Sequence, residues 1–172
     1  MHFKDKIFLM GMPGSGKTTV GKRLARAMAY DFVDLDQYIE KRENCSINDI
    51  FRHQGEAYFR NSETEAIKEI SLLTSKMIVS LGGGTPCYNN NIDSLIKAGL
   101  CIYIKASDKL LLNRLENAKS QRPLFWGLTK QKIEKKLQQM IDARAPFYER
   151  AHLTAEAVNF QEKNLIEEIN KY

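Results

Sequence analysis

Eight residues near the start of the chain, Gly11-Met12-Pro13-Gly14-Ser15-Gly16-Lys17-Thr18, follow the pattern G-x-x-x-x-G-K-[ST]. Their types suit one task, the holding of a nucleotide's phosphates. Glycines let backbone N–H groups turn inward on phosphate oxygens with no Cβ in the way. A helix opening at the lysine adds the positive end of its dipole. Gly14, Ser15, Gly16, Lys17 and Thr18 are therefore the candidates for binding a nucleotide's phosphates. Lys17 is expected to reach the β- and γ-phosphates, and the Thr18 hydroxyl to ligate Mg²⁺.

Two carboxylates lie further on, Asp34 within the run Phe32-Val33-Asp34-Leu35 and Asp36 directly after it. Read as the end of a strand, residues two apart look to the same face, toward the cleft where α/β sheets bind ligands. One carboxylate could then support Mg²⁺ through water while the other accepts a proton from an attacking hydroxyl. The competing reading makes Asp36 the N-cap of a helix beginning at Gln37. Many phosphate-loop ATPases place an Asp after their third strand, but Ser80 stands there, so the metal-side carboxylate must come from elsewhere, with Asp34 and Asp36 the obvious candidates. A GTPase would need an Asn-Lys-x-Asp segment, and Asn117-Ala118-Lys119-Ser120 is not one.

The elements that must position these groups are legible as periodicity. Ile7–Met10, Phe32–Leu35, Met77–Leu81 and Leu100–Ile104 are short apolar runs of the kind that form buried parallel strands, and a weaker strand is expected near Leu153. Helical spacing covers Lys17–Ala29, Ser46–His53, Glu56–Leu73 and a stretch capped by Ser107. A long helix from Thr129 is expected to be interrupted at Pro146, and an amphipathic helix closes the chain. The alternation predicts a parallel sheet covered on both faces. Asn117 to Leu128, with Pro123 and Gly127, lacks helical period.

Composition narrows the class. A chain of 172 residues, 43% hydrophobic and 27% charged, suits one ordinary globular domain, residues 1–172. No run approaches the roughly 18 apolar residues of a membrane span, and the N-terminal apolar stretch is too short for a signal peptide. Cys45, Cys87 and Cys101 form no CxxC pair, so reduced thiols in a cytoplasm are expected. The net charge of +5 is spread thinly, and without an aromatic-interleaved basic stripe it does not predict nucleic-acid binding. No membrane contact is expected, and nothing calls for more than a monomer.

The motifs taken together resemble the shikimate kinase family over nearly the whole chain. They are Gly11–Thr19, Val33-Asp34-Leu35-Asp36, Ser46-Ile47-Asn48-Asp49-Ile50-Phe51, Gly55-Glu56 with Phe59-Arg60, Ser80-Leu81-Gly82-Gly83-Gly84, Arg122-Pro123-Leu124 and Arg144-Ala145-Pro146-Phe147-Tyr148. The resemblance implies a three-layer α/β/α sandwich around a five-stranded parallel sheet, the P-loop fold of nucleoside monophosphate kinases, with a lid at about 117–128. It implies ATP as co-substrate, Mg²⁺ as cofactor and shikimate as acceptor. On it, Asp36 binds ring hydroxyls and serves as base for the 3-hydroxyl, and Arg60 and Arg144 clamp the carboxylate. Gly82, Gly83 and Gly84 let the backbone approach the ring. Lys17 and Arg122, the latter from the lid, stabilise the phosphoryl group in transit, Asp34 assists Mg²⁺ through water, and Arg114 stacks on adenine.

Local context supports some of these roles. Glu63, three residues after Arg60, could hold its guanidinium, and Pro146 could kink its helix so as to aim Arg144. The sequence departs from the family's pattern at Thr85-Pro86, where small or β-branched apolar residues are expected. Other small-molecule kinases, acting on gluconate or nucleoside monophosphates, remain the nearest alternatives, with a non-catalytic ligand sensor as the alternative of another class.

Overall fold

The computed structural model describes residues 5–117, 128–158 and 160–172. Five strands, β1 (Lys6–Met10), β2 (Asp31–Asp34), β3 (Met77–Ser80), β4 (Leu100–Lys105) and β5 (Leu153–Glu156), form one sheet in the order β2-β3-β1-β4-β5. Every ladder is parallel, with Leu9 opposite both Ser80 and Ile102. β1 is central and buried along its whole length, which explains its unbroken apolar run.

The pleat divides β1 between two cores. Phe8 and Met10 pack into the larger one, with Leu35, Ile39, Phe59, Ile67, Leu111 and Leu137. Ile7 and Leu9 face the smaller one, with Val20, Leu24, Leu165 and Ile169. On the smaller side lie α1 (Lys17–Met28) and α8 (Glu162–Asn170). The larger side carries α2 (Leu35–Glu43), α3 (Ile47–His53), α4 (Gly55–Leu72), α5 (Asn91–Ala98), α6 (Asp108–Asn117) and α7 (Lys130–Tyr148). This is the expected three-layer α/β/α sandwich. Among the described residues no helix is long and apolar enough to cross a membrane.

Three local readings need correction. β2 ends at Asp34, and that residue is the N-cap of α2, its carboxylate accepting from the Gln37 N–H. Asp36 is therefore neither a strand residue nor a cap but part of the first helical turn, and the strand-period argument for the pair fails. α7 runs through Pro146 to Tyr148 rather than stopping there, since proline removes one N–H donor while Tyr148 stays buried. α5 has no counterpart in the sequence reading because only Ile92 and Leu95 of its apolar residues are fully packed and it follows a run of asparagines. Arg122, with Phe125 and Trp126, lies outside the described residues.

Candidate active site

The loop between β1 and α1 holds its shape through glycine. Gly14 and Gly16 have φ of 89° and 98°, in the left-handed region where a side chain is strained. Lys17 is buried, and its Nζ donates to the carbonyls of Gly11 (2.8 Å) and Met12 (3.0 Å), laying the ammonium along the inside of the loop. Ser15 Oγ is buried with no hydrogen-bond partner among the described residues. Thr19, one position on in α1, is exposed. Arg114 of α6 lies across the loop, its Nη1 donating to the Gly14 carbonyl at 2.7 Å.

Thr18 Oγ1 donates to Asp34 Oδ2 at 3.1 Å and sits 3.3 Å from Ser80 Oγ. Hydroxyl and carboxylate oxygens brought together beside a phosphate loop are hard donors that fit Mg²⁺. Among the described residues no group of three or more His, Cys, Asp or Glu could hold a metal by itself. A cation at this point would draw its remaining ligands from phosphate and water, as Mg²⁺ commonly does.

Asp36 lies on the cleft side of the first turn of α2. Its Oδ1 is buried with no hydrogen-bond partner among the described residues. Burial, reinforced by Asp34, Glu63 and Glu40 and opposed by Lys17, pushes its carboxyl up to about 6. A carboxylate so placed is poised to take a proton near neutral pH.

The glycine triplet after β3 is the surface on which the candidate groups meet. A Cβ on Gly82 would lie 3.1 Å from Asp36 Oδ1, one on Gly83 3.1 Å from Arg144 Nη1, and one on Gly84 3.0 Å from Arg60 Nη1. Three successive glycines thus open room for one carboxylate and two guanidinium groups, contributed by α2, α7 and α4. The Gly83 position would also meet Pro13 Cδ at 2.7 Å, which sets the phosphate loop against the same turn.

The Arg60 guanidinium is held on several sides. Arg60 Nη1 donates to Glu63 Oε2 at 2.7 Å, and its Nε and Nη2 reach Glu56 Oε1 at 3.2 and 2.9 Å. The Tyr88 ring covers it at 4.2 Å. Glu63 is fully buried, and burial raises its pKa while Arg60 and a hydrogen bond from Thr85 Oγ1 oppose that shift. Arg144 shares its helix with Tyr148, whose buried hydroxyl donates to the Gly83 carbonyl and approaches Met12 Sδ. Tyr148 therefore pins both the glycine turn and the phosphate loop.

The structure accordingly brings together Lys17, Thr18, Asp34, Asp36, Arg60, Gly82, Gly83, Gly84 and Arg144, and sets Arg114 at the border of the loop. The sequence reading gave no role to Tyr88 or Ser80's hydroxyl, and took Thr85 only as a departure. The Tyr148 signal was present in the Arg144–Tyr148 segment but unread.

Comparison with known proteins identifies the family. The protein-family model for shikimate kinase matches residues 13–172. A shikimate kinase of Bacteroides fragilis is 36% identical over 162 residues, covering 94% of this chain and 90% of its own length. The crystal structure of shikimate kinase from Bacteroides thetaiotaomicron superposes with a TM-score of 0.88 at 32% identity, covering 97% of this chain and 98% of that one. Shikimate kinase from Acinetobacter baumannii, solved in complex with shikimate, gives 0.83 at 31% identity, covering 96% and 90%. Fold, motif order and family match coincide: the chain belongs to the shikimate kinase family.

Proposed function

We propose that the chain transfers the γ-phosphoryl group of ATP to the 3-hydroxyl of shikimate, giving shikimate 3-phosphate and ADP, a step of chorismate and aromatic amino acid biosynthesis. The observation that carries this reading is the meeting of Asp36, Arg60 and Arg144 on the Gly82–Gly84 turn, directly beside the phosphate loop. A planar guanidinium pair matches a carboxylate, a half-buried carboxylate matches a hydroxyl to be deprotonated, and flat glycine backbone matches a ring lying close.

The residues divide the work as follows. Arg60 and Arg144 hold the acceptor's carboxylate and so fix the ring. Asp36 orients the hydroxyl, takes its proton and leaves the oxygen in line with the terminal phosphate. The loop N–H groups, Lys17 and the N-terminus of α1 hold the nucleotide, and Lys17 opposes charge on the moving phosphoryl group. Thr18 and Asp34 would hold Mg²⁺, with Asp34 acting through water, and the ion would neutralise phosphate charge. Arg122, assigned by the resemblance to a lid at about 117–128, would add a second cation once both substrates are bound. Arg114 would stack on the adenine, and Thr19 would add a contact to the phosphates.

We further infer a single-domain monomer working in the cytoplasm on small molecules alone, which the free Cys45, Cys87 and Cys101 support. A coupled ADP-release assay against shikimate, gluconate and nucleoside monophosphates tests the whole reading. Turnover with shikimate at least a hundredfold above the others is expected. Comparable turnover with gluconate or a nucleotide would replace it, and no turnover with any would favour a ligand sensor.

A further inference from the structure

Thr85 follows the glycine triplet directly, and its side chain is not idle. It is fully buried, and its Oγ1 donates to Glu63 Oε1 while Arg60 Nη1 takes Glu63 Oε2. Thr85 is itself held from behind. Its carbonyl accepts from Asn91 Nδ2 at 3.0 Å, and Asn91 Oδ1 accepts from Thr64 Oγ1 at 3.0 Å. Asn91, which opens α5, is fully buried. The hydroxyl thus has a fixed origin and a fixed target.

The target bears on the acceptor pocket. The point where a Cβ on Gly82 would sit is 2.9 Å from Thr85 Oγ1, 3.0 Å from Glu63 Oε1 and 3.1 Å from Asp36 Oδ1. Three oxygens from α4, α2 and the turn therefore surround one glycine. A buried carboxylate keeps its charge and rotamer only while its lone pairs are met. Arg60 meets one oxygen of Glu63, and Thr85 meets the other.

We propose that Thr85 is a positioning residue for phosphoryl transfer: by donating to Glu63 it holds that carboxylate on Arg60. This rests on reading Arg60 as the carboxylate clamp. Glu63 faces Arg60 on its own helix, Arg144 of α7, Cys87 and Asp36, and Asp36 also faces Asp34, Glu40 and Lys17. Removing the Thr85 hydroxyl lets Glu63 take up a proton more readily. Arg60 then loses part of its anchor.

The test compares Thr85→Val, Thr85→Ser and Arg60→Lys by steady-state kinetics with each substrate varied in turn. Thr85→Val is expected to raise the KM for shikimate about tenfold and leave that for ATP within twofold. Thr85→Ser, which keeps the hydroxyl, should restore the shikimate KM. Should valine prevent folding, Thr85→Ala makes the same comparison without added bulk. A shikimate KM within twofold of wild type, an equal rise for both substrates, or a serine variant no better than valine would each overturn the proposal. If Arg60→Lys raises the shikimate KM and Thr85→Val does not, only the role of Thr85 falls. If Arg60→Lys leaves that KM unchanged, the clamp itself falls, and the role of Thr85 with it.

Discussion

The Thr18 hydroxyl donates to Asp34 Oδ2 across 3.1 Å, joining the first turn of α1 to the end of β2. The other oxygen of the same carboxylate accepts the Gln37 N–H at a long 3.5 Å, as the N-cap of α2. One side chain thus turns the chain out of the sheet and faces the place where a cation would meet the phosphates. Asp34→Asn keeps a capping acceptor but removes the charge. The Mg²⁺ concentration for half-maximal activity is expected to rise about tenfold, with the melting temperature changed by less than about 4 °C. A magnesium titration of ADP release, run beside thermal melts, decides this; an unchanged magnesium requirement would remove Asp34 from the metal site.

Asp36 should trade activity against stability. Asp36→Asn is expected to lower kcat by roughly a hundredfold to ten-thousandfold, the usual worth of a positioned base, and to spare ATP binding. The same substitution should stabilise the free protein. With its carboxyl raised from 3.8 to about 6, the folded state binds that proton more tightly than the unfolded chain does. Its contribution is therefore fully present below the unfolded value and is lost as pH rises through the folded one. At pH 8 the mutant should gain on the order of 2 kcal/mol, and the gain should vanish below about pH 4. Denaturant melts at the two pH values check it, and substantial residual turnover would exclude Asp36 as the base.

The same group sets a pH limb. kcat/KM for shikimate is expected to fall as pH drops through about 6, where Asp36 takes up its proton. A flat profile between pH 5 and 8, roughly the window in which such a carboxylate titrates, would assign the proton transfer elsewhere.

Gly84 leaves room for Arg60. A methyl group there would come within 3.0 to 3.2 Å of Nη1, Nη2 and Cζ of that side chain, which is already held by Glu63, Glu56 and Tyr88. Gly84→Ala is expected to raise the shikimate KM about tenfold or more while leaving the ATP KM within twofold. Kinetics with each substrate varied in turn separate this from general damage, in which both constants would move.

Arg144→Lys keeps charge but loses the planar fork. Its expected effect is a rise of about tenfold in the shikimate KM with little change in kcat. An unchanged KM, measured at saturating ATP, would take Arg144 out of the clamp.

Much of this protein was determined by sequence alone, because the governing effects are local. The run Ile7–Met10 followed by Gly11–Thr18 can scarcely be other than a buried strand, a phosphate loop and a helix, since backbone sterics and glycine's freedom decide it within a dozen residues. The alternation of apolar runs and helices likewise determined the layered parallel sheet. Tertiary structure decided what depends on several segments at once. Which of Asp34 and Asp36 caps α2 turned on where β2 ends: it stops at Asp34, whose carboxylate accepts both the Gln37 N–H and the Thr18 hydroxyl. Asp36 acquired its raised pKa first from burial and then from Asp34 and Glu63, and of these only Asp34 is visible in its linear motif. Thr85 looked like a departure until folding placed its hydroxyl on Glu63. Sequence spacing specifies which groups an element carries, but proximity between groups on different elements exists only once the core has packed them.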